Sequence, residues 1–168
     1  QNRFVLGFEE SYGYLAGSYV RDKDAVGACM LIAEMAQYYK GQGKTLIDVL
    51  KEIYSKYGKY QHKLISREFA GADGAQKSKC LLDSVRSADF KSIGGIKVIG
   101  FTDYLTQTKY NLPKANVLVY DLDNGAQLII RPSGTEPLIK FYMTAALNDQ
   151  KNEEIFCRLK GFIDEHFT

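Results

Sequence analysis

Asp123-Asn124-Gly125 constrains the fold of this chain more than any other short segment. It stands between two apolar runs, residues 117–122 and 127–131. An Asn-Gly pair supplies the positive φ angles that tight hairpins need, so the two runs pair as antiparallel strands. Residues 96–101 and 138–145 read as two further strands. Asp73, with Gln76 three residues on, opens a helix bearing Leu81, Leu82 and Val85 ahead of these strands. A last helix over residues 149–166 puts Ile155, Phe156, Leu159, Phe162 and Ile163 on one face. Helix, strands and helix together make an α+β domain with helices packed on one sheet face.

The first part of the chain reads differently. Residues 3–7 form a short apolar strand and residues 8–17 a glycine-punctuated loop. Asp24 caps a helix with Val26, Cys29, Met30, Ala33 and Ala36 at helical spacing, and Gly41 and Gly43 stop it. Thr45 and Asp48 have the form of a capping box, opening a second helix that Gly58 ends. Strand, loop, helix, helix is the order of the closing half of an α/β domain. Residues 60–69 read as an extended connector, and Gly71-Ala72-Asp73-Gly74 as a break. The expected division is therefore residues 1–69, a partial three-layer α/β domain with its linker, and residues 70–168, the α+β domain.

Composition narrows the function classes. The 168 residues carry 22 basic and 20 acidic side chains, a net charge of +2. Nucleic-acid binding modules are far more basic than this, so no nucleic-acid partner is expected. There is neither an apolar run long enough to cross a membrane nor a signal-peptide pattern, so the expected location is cytoplasmic. Three widely spaced cysteines make no disulfide framework. They read as small core residues on helices. Six lysines between Lys40 and Lys63 read as wet helix faces.

Two motifs carry chemistry. Arg131-Pro132-Ser133-Gly134-Thr135-Glu136-Pro137 joins two strands. Ser133 and Thr135 offer hydroxyl donors, Gly134 admits an anion close to the backbone, and Arg131 brings a planar cation that grips two phosphate oxygens. The same residue types also make an ordinary tight turn. Lys140, at the start of the next strand, favours the phosphate reading by flanking the loop with a second cation. Glu9-Glu10-Ser11 follows the first strand, at the kind of strand end where open α/β sheets bind ligands, and is either a hydroxyl-accepting pair or a solvated loop. Arg21-Asp22-Lys23-Asp24 includes the capping aspartate and no more on its own evidence. Asp121-Leu122-Asp123-Asn124-Gly125 lacks the ligands of a calcium loop. Gly43-Lys44-Thr45 lacks the preceding glycine and strand of a P-loop.

Taken together, Phe8-Glu9-Glu10-Ser11-Tyr12-Gly13, Arg21-Asp22-Lys23-Asp24 and the RPSGTEP loop resemble the phosphohexomutases, the family of phosphoglucomutases and phosphomannomutases. The resemblance spans the carboxyl-terminal part of a four-domain enzyme. It implies that residues 70–168 adopt a TATA-box-binding-protein-like fold, an antiparallel four-stranded sheet with flanking helices. It implies substrate contacts from Glu9, Ser11 and Lys23 of the third domain. It implies phosphate contacts from Arg131, Ser133, Gly134, Thr135 and Lys140 of the fourth, where Lys140 replaces the arginine common in relatives. The implied reaction interconverts hexose 1-phosphate and hexose 6-phosphate through a phosphoserine and a bisphosphate intermediate. The whole enzyme would then use magnesium and glucose 1,6-bisphosphate, neither bound by these residues alone. Its phosphoserine and magnesium loops are missing here, so no catalytic or metal-ligating residue is expected in this segment and it is expected to be inactive alone. Its implied partners are a phosphosugar substrate and the missing amino-terminal domains of the same chain. Two other readings stay open: a freestanding phosphosugar-binding module, and a mutase for a pentose or glucosamine phosphate.

Overall fold

The computed structural model describes residues 4–9, 12–107, 112–134 and 136–168. The chain divides into two compact units, residues 1–57 and 58–168.

In the first unit, strands β1 (Gly7–Phe8) and β2 (Tyr14–Leu15) form a short antiparallel hairpin. The strand expected over residues 3–7 is thus displaced, with residues 4–6 irregular and residue 3 outside the described part. The pairing is made from within the expected loop instead, because Glu9 donates its N–H to the Gly13 carbonyl (3.0 Å) and turns the chain back. Helix α1 (Ala25–Lys40) starts where Asp24 accepts hydrogen bonds from the N–H groups of Val26 and Gly27. Helix α2 (Leu46–Tyr57) opens on the expected capping box: Thr45 N–H donates to Asp48 at 2.9 Å and Asp48 N–H to Thr45 Oγ1 at 3.2 Å. No residue of either helix is buried. The nine residues that open α1 are all apolar or glycine, and Val26 is 82 % exposed. An all-round apolar helix is the kind that a larger core encloses.

The second unit is an antiparallel sheet with its helices on one face. Its strands are β3 (Gln61–Glu68), β4 (Ser92–Ile93), β5 (Ile96–Asp103), β6 (Leu118–Leu122), β7 (Gln127–Pro132) and β8 (Leu138–Ala145), in the order β3-β8-β7-β6-β5-β4. The four expected strands are the contiguous β5 to β8, with β3 and β4 extending the sheet at its edges. At the β6–β7 turn Gly125 has φ +76°, and Asn124 Oδ1 accepts the Ala126 N–H at 3.0 Å. Strict alternation sends Leu128, Ile130, Ile139, Phe141 and Met143 inward. They meet helices α3 (Gly74–Ser87) and α4 (Asp149–His166), whose Leu82, Val85, Ile155, Leu159 and Ile163 complete one core.

Strand β3 corrects the connector and the 69/70 division expected from sequence. All eight of its residues pair with β8, so it belongs to the second unit's sheet. Its inward face carries Lys63 and Arg67 around the single apolar Ile65, which hides the usual alternation. Acids on α4 offset these charges: Lys63 Nζ lies 2.6 Å from Glu153, and Arg67 pairs with Asp164. Gln61 accepts a hydrogen bond from the buried Asn152 at 2.8 Å. Charges pointed inward on an edge strand also discourage pairing with other chains. Lys59 and Lys63 therefore lie off the helix faces expected for them. The cysteines are corrected too: Cys29, Cys80 and Cys157 sit on helices but are exposed. Asp73 precedes α3 without a side-chain capping bond.

Candidate functional site

In the first unit the fold brings Glu9 and Lys23 together, 3.7 Å apart, although the loop between them is long. Two features hold the arrangement. Asp24 N–H donates to the Tyr14 carbonyl at 2.8 Å, fastening the Arg21–Asp24 turn to β2. Gly13 lies between the two side chains, and a Cβ there would stand 2.7 Å from Glu9 Oε1 and overlap the Lys23 stem. Only glycine leaves both in place. Asp22 lies 3.1 Å from Lys23 Nζ, and hydrogen bonding to it, then its charge, then that of Glu9 raise the lysine's pKa. These partners favour the charged form of Lys23. Glu9, Arg21, Asp22 and Lys23 line a cavity of about 230 Å³ with Gly7 and Gly13. Arg21 had no assigned role from sequence; its alternation with acids in one short turn was the available signal. Ser11 lies outside the described residues.

In the second unit, register decides the outcome. Arg131 on β7 stands directly opposite Lys140 on β8. Their neighbours Ile130, Ile139 and Phe141 are buried toward the helices, so both cations point to the other face of the sheet. Directly opposed like charges repel one another, and an anion held beside them would turn that repulsion into attraction.

The loop between them is anchored at both ends. Ser133 N–H donates to the Leu138 carbonyl at 2.8 Å, and Phe69 N–H to the Pro137 carbonyl at 2.8 Å. Gly134 is not among the positive-φ glycines, and a Cβ there would meet nothing within 4 Å. The fold itself makes no demand for glycine at that position. Thr135 lies outside the described residues.

Behind the loop is a cleft of about 530 Å³ that sequence did not disclose. Ala75, Ser78 and Lys79 of α3 face Ser133, Gly134 and Glu136 across it. At its base, Arg86 donates Nε–H to Asp103 at 3.1 Å, pairs with Asp83 at 2.5 Å and donates to Asn116. Asp103 is 8 % exposed, and this cluster ties α3 to the end of β5. Burial pushes the neighbouring Tyr120 phenol up to about 12, with the Asp103 charge adding to it. Among the described residues no cluster of His, Cys, Asp or Glu is arranged to hold a metal ion. No described helix is long and apolar enough to cross a membrane.

Residues 1–57 match the family model described as phosphoglucomutase/phosphomannomutase, alpha/beta/alpha domain III. Residues 82–160 match that of the phosphoglucomutase/phosphomannomutase C-terminal domain. A phosphoglucomutase of Staphylococcus haemolyticus (strain JCSC1435) is 39 % identical over 170 residues, covering 94 % of this chain and 31 % of the relative. One from Staphylococcus aureus (strain USA300) is 40 % identical over 150 residues, covering 83 % of this chain and 27 % of the relative. The chain thus spans about three-tenths of the length of these curated relatives. Among solved structures, the open form of the exocytosis-sensitive phosphoprotein pp63/parafusin, a phosphoglucomutase from Paramecium, aligns with a TM-score of 0.56 at 19 % identity. That alignment covers 94 % of this chain and 28 % of that one. At such identity the likeness is one of fold.

Proposed function

Because the chain belongs to the phosphoglucomutase/phosphomannomutase family, we propose that it recognises a hexose phosphate during interconversion of the 1- and 6-phosphates. Glu9 accepts sugar hydroxyls and Lys23 faces substrate charge, with Ser11 as the third contact implied by the family motif. Arg131, Ser133, Gly134, Thr135 and Lys140 hold the phosphate that is not reacting. The observation that carries this reading is the opposition of Arg131 and Lys140 beside an anchored loop with an open glycine. Nucleophile and magnesium ligands belong to the remainder of the whole enzyme in this reading, and no step runs through a metal on this chain. Holding and orienting the substrate is most of what catalysis of phosphoryl transfer requires, so these contacts govern rate as well as affinity.

The test is a titration of the 168-residue chain followed by amide NMR. Inorganic phosphate should move the resonances of Ser133, Gly134 and their strand neighbours. Glucose 6-phosphate should also move Gly13 and Lys23. Phosphate that leaves residues 131–140 untouched overturns the reading.

Gly134→Ala separates binding from folding. Alanine fits the backbone angles and meets no neighbour, so stability should hold or rise by about 0.4–1 kcal/mol. The added methyl covers the loop's open approach, so phosphate affinity should fall. A thermal melt and the same titration check the pair of outcomes.

A further inference from the structure

Lys79 stands out in the cleft behind the phosphate loop. The residues Ala75, Ser78, Lys79, Leu82, Asp83 and Arg86 recur at helical spacing and turn one face of α3 toward that cleft. Four charged side chains line it: Lys79, Asp83, Arg86 and Glu136. Arg86 is committed to Asp83, Asp103 and Asn116, so it offers an anion no free positive charge, and the two carboxylates leave the base net negative. Lys79 has no ion-pair or hydrogen-bond partner among the described residues. It is the cleft's one uncommitted cation there, and Glu136 contributes the opposing carboxylate.

Ser133 and Gly134 line the same cleft, whereas Arg131 and Lys140 point to the opposite face of the sheet. Around the loop, Arg131 and Lys140 thus stand on one side and Lys79 on the other. We propose that Lys79 is a further phosphate-binding residue, approaching the anion from α3 on the cleft side of the loop. The cleft is of the size that small ligands occupy, so the ligand class is a phosphate monoester or inorganic phosphate. This rests on the reading of the loop as a phosphate site, and it adds a contact that the motif does not contain.

Inorganic phosphate titrated into the 168-residue chain tests it, with amide NMR on α3 and the loop. Phosphate should shift Ala75 and Ser78 together with Ser133 and Gly134. Lys79→Ala should weaken binding roughly two- to fivefold, and Lys79→Arg should retain most of it. Lys91→Ala, which removes an equal charge from a lysine side chain 84 % exposed elsewhere, should bind like the parent. Lys79 is exposed and unpaired among described residues, so its variants should melt with the parent. If Lys79→Ala binds as the parent does while Arg131→Ala is weakened, the inference falls and the loop reading stands. Equal weakening by Lys91→Ala also overturns it, since only net charge would then matter. If the parent chain binds no phosphate, both readings fall together.

Discussion

Arg131→Ala should weaken binding of inorganic phosphate and of glucose 6-phosphate by about ten- to hundredfold. A hydrogen bond to a charged group contributes about 1.5–3 kcal/mol, and each 1.4 kcal/mol is about a factor of ten. Arg131 is exposed, so solvent screening holds the loss toward the lower end of that range. Folding should not suffer. The side chain leaves the sheet on the face away from the core, and its removal relieves the opposition with Lys140. The melting temperature should therefore be unchanged or slightly higher. Arg131→Lys should recover part of the affinity only, because a point charge cannot reproduce a planar fork on two phosphate oxygens. Calorimetric titration of the three proteins, with melts alongside, checks both halves. Unchanged binding of both ligands by Arg131→Ala would make RPSGTEP an ordinary turn in this chain.

The parts of the fold legible in sequence are those where local chemistry and tertiary packing agree. Asp123-Asn124-Gly125 specified its hairpin because the turn needs only its own residues. Asp24 and the Thr45–Asp48 pair were readable because helix caps are satisfied within four residues. The apolar face of α4 was readable because all of it faces one core. Strand β3 was not. Its inward lysine and arginine are neutralised by Glu153 and Asp164, some ninety residues away, and no local period records that. The cysteines misled because a small apolar residue fits an exposed helix face as readily as a buried one.

The candidate site divides along the same line. Arg131 and Lys140 were legible because hairpin geometry brings adjacent strand ends together. The Glu9–Lys23 pair was implied by a family motif, and its geometry depends on a glycine whose role appears only in three dimensions. Lys79 was invisible, since α3 reaches the loop only through tertiary packing. Nothing in the sequence near either segment points to the other.

Gly74→Ala should be among the most damaging single-methyl changes in the second unit. Gly74 is the buried first residue of α3. A Cβ built there would overlap the Phe69 carbonyl oxygen and lie 2.8 Å from its carbonyl carbon. Both obstacles are backbone, so no side chain can swing aside. Phe69 is itself held: its N–H donates to the Pro137 carbonyl, and its ring is in the core. Relief therefore requires α3 to move away from the end of β3, or the residue 69–71 segment to pull on the phosphate loop. Overpacking of this kind costs about 1–3 kcal/mol, which lowers the melting temperature of a unit this size by roughly 5–15 °C. Gly161→Ala on α4 is the control. Its Cβ would meet nothing within 4 Å, and alanine in a helix interior is favoured by about 1 kcal/mol, so that variant should melt higher. The two alanines differ only in what surrounds them. Because the strain passes through Phe69 to Pro137, Gly74→Ala should also shift the amide resonances of Ser133 and Gly134 without any ligand, whereas Gly161→Ala should not. A parent-like melt for Gly74→Ala would mean that α3 is not seated against Phe69, and the cleft between α3 and the loop would lose its wall.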